Sequence, residues 1–178
     1  MFLAPDSLGS HLKRQGVARA YLIFGDEPLQ ALESADLVRA AARSDGITER
    51  LLFEVEAGFD WQQLQSGANE ISLFAERRVI EIRLGPRKPD KAASAILVGL
   101  LGRDDLPDIF LITADRLDRN AQKSKWFKAI DAAGVTVQAR LVDPSKLDRW
   151  ILRRAGQRGL TLSTGAAEVI AIRAEGNL

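Results

Sequence analysis

The run Tyr21-Leu22-Ile23-Phe24-Gly25-Asp26-Glu27-Pro28-Leu29 contains the change of hydrophobic period on which the architecture depends. Its first four residues form a short apolar run that predicts a buried strand, and Gly25 ends that run. A helical pattern over residues 27–44 follows without a linker. A strand that passes directly into a helix predicts the alternating organisation of an α/β fold.

Four further short runs, rich in β-branched or aromatic residues, predict strands. They are residues 51–55, 79–84, 109–112 and 135–137. Between and before the strands, residues 7–15, 27–44, 60–74, 91–101 and 121–133 show helical patterns. Five strands alternating with helices predict a mostly parallel sheet that is covered on both faces. Residues 109–112 are apolar throughout, so we expect them to form a central strand.

The pattern changes after residue 141. Residues 146–157 and a stretch that opens at Ser163 predict helices, and no strand pattern follows. We therefore expect residues 1–140 to form the α/β domain and residues 141–178 to begin a small helical domain.

Composition and charge exclude several classes of protein. Of the 178 residues 46% are apolar and 28% are charged, which is typical of a globular fold. The net charge of +1 is unlike that of a dedicated nucleic-acid binder. The absence of cysteine excludes disulfides and thiolate metal sites, and His11, which we predict to lie at the surface, is the only histidine. Without a signal peptide or a bilayer-spanning run of about 20 apolar residues, we expect a cytoplasmic location and no membrane contact.

The turn after the first strand is where an α/β domain would bind a nucleotide. A phosphate-binding loop has the pattern G-x-x-x-x-G-K-[ST], whereas Gly25, Asp26, Glu27 and Pro28 are followed by no glycine, lysine or serine at that spacing. Two carboxylates would occupy the positive helix N-terminus, and proline removes a backbone donor. We interpret Asp26 as a helix cap and expect no nucleotide, no metal, no other cofactor and no catalytic residue.

Basic side chains are scattered along the chain, and we interpret most of them, including Arg77 and Arg78, as solvated surface. Arg153, Arg154 and Arg158 are the exception, because few acidic residues surround them. Weak contact of these three arginines with DNA phosphates is therefore kept open. The adjacent Trp126 and Phe127 are interpreted as core residues of a helix and not as a platform for stacked bases.

The segment Ser72-Leu73-Phe74-Ala75, before Glu76-Arg77-Arg78, places two large apolar residues side by side. The predicted helix over residues 60–74 has its apolar face at Trp61, Leu64, Ala68 and Ile71. At about 100° per residue, Leu73 would point roughly 165°, and Phe74 roughly 95°, away from the centre of that face. An exposed Leu-Phe pair costs solubility, so we interpret it as the anchor for a partner protein with a matching pocket.

Four segments carry a resemblance to a known family. They are residues 21–29, the 72–78 segment, the Trp126-Phe127 helix and the ending Glu175-Gly176-Asn177-Leu178. In order and spacing, over essentially the whole chain, the sequence resembles the delta subunits of bacterial DNA polymerase III, the clamp-opening members of the clamp loader. The resemblance implies an AAA+-type, RecA-like domain over residues 1–140 and a helical lid that begins at residue 141. It also implies a C-terminal collar domain, which these 178 residues lack.

The same resemblance implies a clamp-binding element at Ile71, Ser72, Leu73, Phe74 and Ala75, with Leu73 and Phe74 as its anchors. It implies a subunit that is not itself an enzyme and does not hydrolyse ATP. The implied partners are the sliding clamp, or beta subunit, the gamma/tau and delta prime subunits of the loader, and DNA only within the full loader. From the residues alone, a divergent P-loop nucleotide hydrolase and a DNA-binding module remain as alternatives.

Overall fold

The computed structural model describes residues 1–70 and 76–174. The chain divides into two compact units, Met1–Ala139 and Arg140–Leu178. The residues predicted to bind the clamp, Ile71 to Ala75, lie outside the described residues, as do residues 175–178.

Strands and helices alternate through the described part of the first unit. In chain order they are β1 (Phe2–Leu3), α1 (Pro5–Gln15), β2 (Ala20–Gly25), α2 (Pro28–Ser44), β3 (Arg50–Glu54), α3 (Trp61–Asn69), β4 (Val79–Gly85), α4 (Lys91–Leu101), β5 (Ile109–Ala114), α5 (Arg119–Gln122), α6 (Lys125–Ala133) and β6 (Gly134–Ala139). The strands form one sheet in the order β1-β6-β2-β5-β4-β3, and all of its ladders are parallel. The predicted α/β class and parallel sheet are confirmed.

The sheet of the described residues has six strands where the sequence predicts five. The additional strand is β1, which pairs with β6 at the edge of the sheet. Two residues are too few to show a period of two, so β1 has no detectable pattern. Phe2 supports the pairing by contacting the rings of Phe24 and Phe127, at centroid distances of 6.5 and 6.0 Å.

Apolar side chains are buried on both faces of the sheet, as the alternation of strands and helices predicts. One face holds Phe24, Ile82 and Phe110 of the strands with Leu97 and Ile130 of the helices. The strand β5 lies between β2 and β4, and residues 109–112 are fully buried, so their central position is confirmed. Trp126 and Phe127 are also buried, which confirms that they are core residues.

His11 is buried, so the prediction of a surface histidine is wrong. Its helix, α1, packs against α2 and buries Leu8, His11 and Leu12. Residues separated by three and four positions share one face of a helix, and that shared face carries His11 inward with the two leucines.

The predicted helix over residues 60–74 ends at Asn69, because Glu70 has an extended backbone with φ −66° and ψ 126°. The end of the helix is poor in helix-forming residues, since Gly67 and Asn69 both disfavour the conformation. A Cβ atom at position 67 would lie 2.9 Å from Cζ of Phe53, so this glycine allows the Phe53 ring to lie close to α3. The angles calculated for Leu73 and Phe74 on a continuous helix therefore do not apply.

The helix predicted over residues 121–133 is two helices, α5 and α6, separated at Lys123 and Ser124. Ser124 caps α6, because its hydroxyl accepts a hydrogen bond from the backbone N–H of Phe127 at 3.4 Å. A serine in the middle of a helical pattern competes for backbone donors, which explains the break.

On β4, the carboxylate of Glu81 is buried among arginines on the sheet face opposite Ile80 and Ile82. It accepts hydrogen bonds from Arg39 at 2.9 and 2.7 Å, from Arg50 at 3.2 Å and from Arg83 at 3.0 Å. Burial by itself raises the pKa of Glu81, but hydrogen bonds from Arg39 and Arg83 outweigh it and hold the pKa below its ordinary value. These contacts join α2, the edge strand β3 and its neighbour β4.

The second unit contains a 3₁₀ turn at Pro144–Lys146 and the helices α7 (Leu147–Gln157) and α8 (Thr164–Ala174). Leu147 and Ile151 of α7 and Ala167 of α8 form its small buried core. Across the two units, no described helix has both the length and the apolar character that are needed to cross a membrane.

Candidate functional site

The turn between β2 and α2 is packed tightly against the end of β6. Gly25 has φ 150°, and a Cβ atom at this position would lie 1.7 Å from the carbonyl oxygen of Ala139. The backbone N–H of Asp26 donates a hydrogen bond to the same carbonyl oxygen at 3.1 Å. This donor is therefore occupied by the protein itself.

Glu27, and not Asp26, caps α2. Its buried carboxylate accepts a hydrogen bond from the backbone N–H of Leu29 at 3.1 Å. Pro28 takes the first helical position, so the residue directly before it becomes the cap. Asp26 is exposed, and its Oδ2 atom lies 3.6 Å from Nη1 of Arg116. The interpretation of Asp26 as the helix cap is therefore wrong by one residue.

The start of α2 is poorly suited to a phosphate group. A phosphate-binding loop presents free backbone N–H groups at a positive helix N-terminus. Here the N–H groups of Asp26 and Leu29 are already used, Pro28 has none, and the Glu27 carboxylate occupies the end of the helix. An approaching phosphate would meet a carboxylate where a P-loop offers donors.

The flanks of the 71–75 segment lie at the surface. Glu70, directly after α3, and Glu76, shortly before β4, are both exposed. Two residues later, Arg78 is buried, with 6% of its surface exposed. The interpretation of Arg78 as solvated surface is therefore wrong.

Arg78 is buried because its guanidinium pairs with Asp108, which directly precedes β5. Nη2 of Arg78 lies 2.9 Å from Oδ2 of Asp108, and Nε lies 3.4 Å from Oδ1. Oδ1 also accepts the backbone N–H of Arg78 at 2.9 Å. The hydrogen bond to Asp108 raises the pKa of Arg78 above its ordinary value, although burial opposes that change.

The same guanidinium reaches the end of α3. Nη2 of Arg78 donates to the carbonyl oxygen of Ala68 at 3.4 Å. The last carbonyl groups of a helix have no partner within the helix, and a cation is favourable at this negative end. One side chain therefore joins the end of α3 to the starts of β4 and β5.

Two further arginines connect the loop between α4 and β5 to the end of α3 and to the residues before β4. Arg103 donates to the side-chain oxygen of Asn69 at the end of α3, and it pairs with Asp105 at 2.6 Å. Nε of Arg77 donates to the carbonyl oxygen of Pro107 at 3.2 Å. We call the set Ala68, Asn69, Arg77, Arg78, Arg103 and Asp108 the frame, because its members lie on both sides of the 71–75 segment in sequence.

The 71–75 segment is recognisable in the sequence, whereas most residues of the frame are not. Arg78 and Asp108 are 30 residues apart, and nothing in the sequence marks them as a pair. The available signal is positional: each directly precedes a predicted strand, and the starts of neighbouring parallel strands meet at one edge of a sheet.

The three arginines considered for DNA contact lie in the second unit, on α7 and directly after it. Arg153 is exposed, whereas the guanidinium of Arg154 lies over the ring of Trp150, 4.9 Å from its centroid. Arg158 follows the last residue of α7 and is exposed. Contact of Arg153, Arg154 and Arg158 with DNA stays a prediction.

Residues 21–140 match the family model described as DNA polymerase III, delta subunit. That range holds the β2–α2 turn, the frame and the 71–75 segment. The chain belongs to the DNA polymerase III delta subunit family. The resemblance drawn from the four sequence segments is thereby confirmed.

Curated relatives of this delta-family chain include the DNA polymerase III subunit delta of Escherichia coli, which is 32% identical over 178 residues. The subunit of the same name from Haemophilus influenzae is 25% identical over 183 residues. The matches cover 99% and 98% of the chain but 51% of each relative. The chain therefore spans about half the length of the curated relatives that it matches.

Solved structures agree on the fold. The clamp loader delta protein of Bacillus subtilis superposes with a TM-score of 0.72 at 19% identity, over 98% of this chain and 53% of that one. A RuvB variant of Thermotoga maritima superposes with a TM-score of 0.54 at 16% identity, over 96% of this chain and 54% of that one. The fold of this delta-family chain is AAA+-like.

Proposed function

We propose that this delta-family chain binds the sliding clamp through the apolar side chains of Leu73 and Phe74, within the segment Ile71-Ser72-Leu73-Phe74-Ala75. The observation that carries the proposal is the setting of this segment. It follows Glu70, the residue after the end of α3, and in sequence it lies between two exposed residues, Glu70 and Glu76. An adjacent leucine and phenylalanine between exposed glutamates suit a binding anchor better than a core position.

The energy available to such an anchor is substantial. Complete burial of one leucine and one phenylalanine is worth about 1.5–3 kcal/mol each. A few buried apolar anchors commonly supply most of the binding energy of an interface. A pocket on the clamp that accepts both side chains would therefore hold this subunit without a large additional contact area.

Binding would act on the ring through a difference in affinity. A ligand shifts an equilibrium towards the conformation that it binds more tightly, and by no more than that difference. We propose that the contact made by Leu73 and Phe74 is better with the open ring than with the closed ring. The subunit would then favour ring opening so that the clamp can be loaded on DNA in the bacterial cytoplasm.

The proposal assigns no ATP hydrolysis to this subunit. The occupied donors at Asp26 and Leu29 and the buried carboxylate of Glu27 support this assignment. Control by ATP would come from the gamma/tau subunits, with delta prime completing the loader. DNA would be met only within the full loader.

A nucleotide-binding assay separates this role from that of a divergent hydrolase. Addition of 1 mM ATP with Mg²⁺ is expected to leave the melting temperature of the chain unchanged. A ligand present at 100 times its Kd would stabilise the fold by about 2.7 kcal/mol, which would raise the melting temperature by several degrees. A rise of that size would support the hydrolase alternative instead.

Direct titration against the sliding clamp of the source organism tests the proposal itself. We expect saturable binding of the 178-residue chain that survives 0.5 M salt, because apolar burial is not screened by ions. A complex that forms only at low salt, or none at all, would refute the assignment of Leu73 and Phe74 as anchors.

A further inference from the structure

Positive charge is concentrated at the edge of the sheet where β4 and β5 end. Residues 86–91 follow β4, residues 115–128 follow β5, and the carboxyl ends of neighbouring parallel strands meet at one edge. These two stretches hold eight basic and three acidic residues, a net charge of +5, whereas the whole chain carries +1. The rest of the chain therefore carries −4, and the near-neutral total does not reveal this positive region.

Two contacts hold the stretches side by side. The backbone N–H of Asp115 donates to the carbonyl oxygen of Gly85 at 2.8 Å, and Nζ of Lys88 lies 2.6 Å from Oδ2 of Asp118. The helices α4 and α6, which begin within these stretches, also pack against each other. We call the eight basic residues the basic surface, and all of them are exposed: Arg87, Lys88, Lys91, Arg116, Arg119, Lys123, Lys125 and Lys128.

Most of this charge has no acidic partner in the described part of the protein. Lys88 pairs with Asp118, and Arg116 lies 3.6 Å from Asp26. Among the described residues, no ion pair or hydrogen bond involves the side chains of the other six members. Like charges that lie close together repel one another, so an anionic partner explains the cluster better than fold stability does.

The positions of two members also argue against a purely structural role. Lys91 and Lys125 are the first residues of α4 and α6, directly after the caps Asp90 and Ser124. The N-terminus of a helix carries partial positive charge, so a cation at this position destabilises the helix. Stability therefore does not account for these two lysines, whereas contact with a polyanion does.

A cleft beside the basic surface indicates which polyanion fits. Its volume is about 600 Å³, and the residues that line it include Phe59, Trp61, Pro86, Arg87 and Lys88. The rings of Phe59 and Trp61 are in edge-to-face contact, with 5.3 Å between their centroids, and both residues are partly exposed. Proteins that bind single-stranded nucleic acid combine such aromatic rings, on which bases stack, with cations that contact the phosphates.

We propose that the basic surface binds the phosphates of single-stranded DNA and that the cleft at Phe59 and Trp61 accepts an unpaired base. DNA is the nucleic acid named because the chain belongs to a DNA polymerase III family. The inference does not depend on clamp binding. The isolated chain should bind weakly, because it contacts few phosphates, and in the cell the surface would act within the full loader.

The test is the binding of a fluorescein-labelled oligo(dT) to the 178-residue chain without clamp, followed by fluorescence anisotropy at increasing salt. The variant Arg87→Gln, Lys91→Gln, Lys125→Gln should lose about tenfold in affinity at low salt. Each phosphate contact contributes about 0.7 to the slope of log affinity against log salt for a single strand, so the slope should become shallower by about 2. The melting temperature should not fall, since two of the removed cations destabilise helix starts.

A matched control removes the same charge from the opposite face of the sheet. Lys13, Arg14 and Arg43 are exposed on α1 and α2, whose apolar side chains form the core on that face. The variant Lys13→Gln, Arg14→Gln, Arg43→Gln should keep the affinity and the salt slope of the parent. An equal loss in both variants would show that only net charge matters and would refute the assignment of the basic surface.

Two further probes separate the possible partners. An abasic oligonucleotide of equal length keeps the phosphates but offers no base to the cleft, so it should bind several-fold more weakly than oligo(dT). Equal binding of the two would refute the role of the cleft. Binding to phosphatidylglycerol vesicles at a salt concentration that abolishes binding of oligo(dT) would assign the surface to a membrane instead.

Failure of this inference is distinguishable from failure of the proposed function. If the parent chain does not bind oligo(dT) even at low salt, the inference is wrong and the clamp-binding role is unaffected. If the parent binds oligo(dT) with the expected salt slope but does not bind the clamp, the proposed function fails and the inference stands.

Discussion

Replacing Leu73 and Phe74 together by alanine is expected to weaken clamp binding by about 100-fold or more, with almost no change in melting temperature. The two side chains together would bury apolar surface worth about 3–6 kcal/mol, and each 1.4 kcal/mol corresponds to tenfold in Kd. Surface substitutions usually change stability by less than about 0.5 kcal/mol, or about 2 °C in a domain of this size. Titration against the clamp and thermal unfolding measure the two quantities separately.

A matched control is available on α2, where Leu32 and Leu37 are 57% and 42% exposed. Their double replacement by alanine removes a similar apolar surface away from the 71–75 segment and should leave clamp affinity unchanged. Truncating a buried leucine and a buried phenylalanine would instead cost about 5–10 kcal/mol of stability. A large drop in melting temperature for the Leu73→Ala, Phe74→Ala variant would show that the pair belongs to the core.

The largest effect on stability is expected from Glu81→Gln, which should cost about 3–5 kcal/mol at neutral pH. The substitution keeps the shape of the side chain but removes the buried carboxylate that pairs with Arg39, which is mostly buried and keeps only the exposed Asp36 as a charged partner. Urea unfolding measures this loss. The control is Glu54→Gln, which removes an exposed partner of Arg83 and should cost less than about 1 kcal/mol.

The cost of Glu81→Gln should depend on pH in one direction. Because the pKa of Glu81 is lowered in the folded protein, its charge stabilises the fold fully above the unfolded-state pKa of about 4.3. That contribution is lost as the pH falls through the folded-state pKa. The difference between parent and variant should therefore be largest at neutral pH and shrink in acid. A difference that is as large at pH 3 as at pH 7 would contradict the assignment of the low pKa.

Local sequence patterns predicted the helices and strands whose bounds depend mainly on residues close to them in the sequence. The strand at residues 109–112 could be predicted because a run that is apolar on both faces fits a central strand of a parallel sheet. Lys91–Leu101 was predicted with its observed bounds, because Asp90 caps it and Gly102 follows it.

Features set by tertiary contacts were missed. The end of α3 is not marked by a proline, and the close approach of the Phe53 ring of β3 to Gly67 is a tertiary contact. The burial of Arg78 depends on Asp108, and that of Glu81 on Arg39, which is 42 residues away. A pattern read along the chain does not by itself identify which residues form such pairs.

The candidate site likewise has one part that the local sequence predicts and one part that depends on tertiary contacts. The unusual sequence of residues 71–75 could be recognised without coordinates, and its clamp-binding role remains a prediction. The hydrogen bonds and ion pairs of the frame could be identified only from the structure, in which α3, β4 and the loop before β5 lie close together.

Protection of the segment by the clamp tests the central claim most directly. Because the chain has no cysteine, Ser72→Cys introduces a single thiol between Ile71 and Leu73, and Leu32→Cys provides a control thiol on α2. Alkylation of each variant by a maleimide is followed with and without a saturating concentration of clamp. We predict that the clamp strongly slows alkylation at position 72 and leaves position 32 unaffected. Equal rates at position 72 with and without bound clamp would contradict the claim that residues 71–75 bind it.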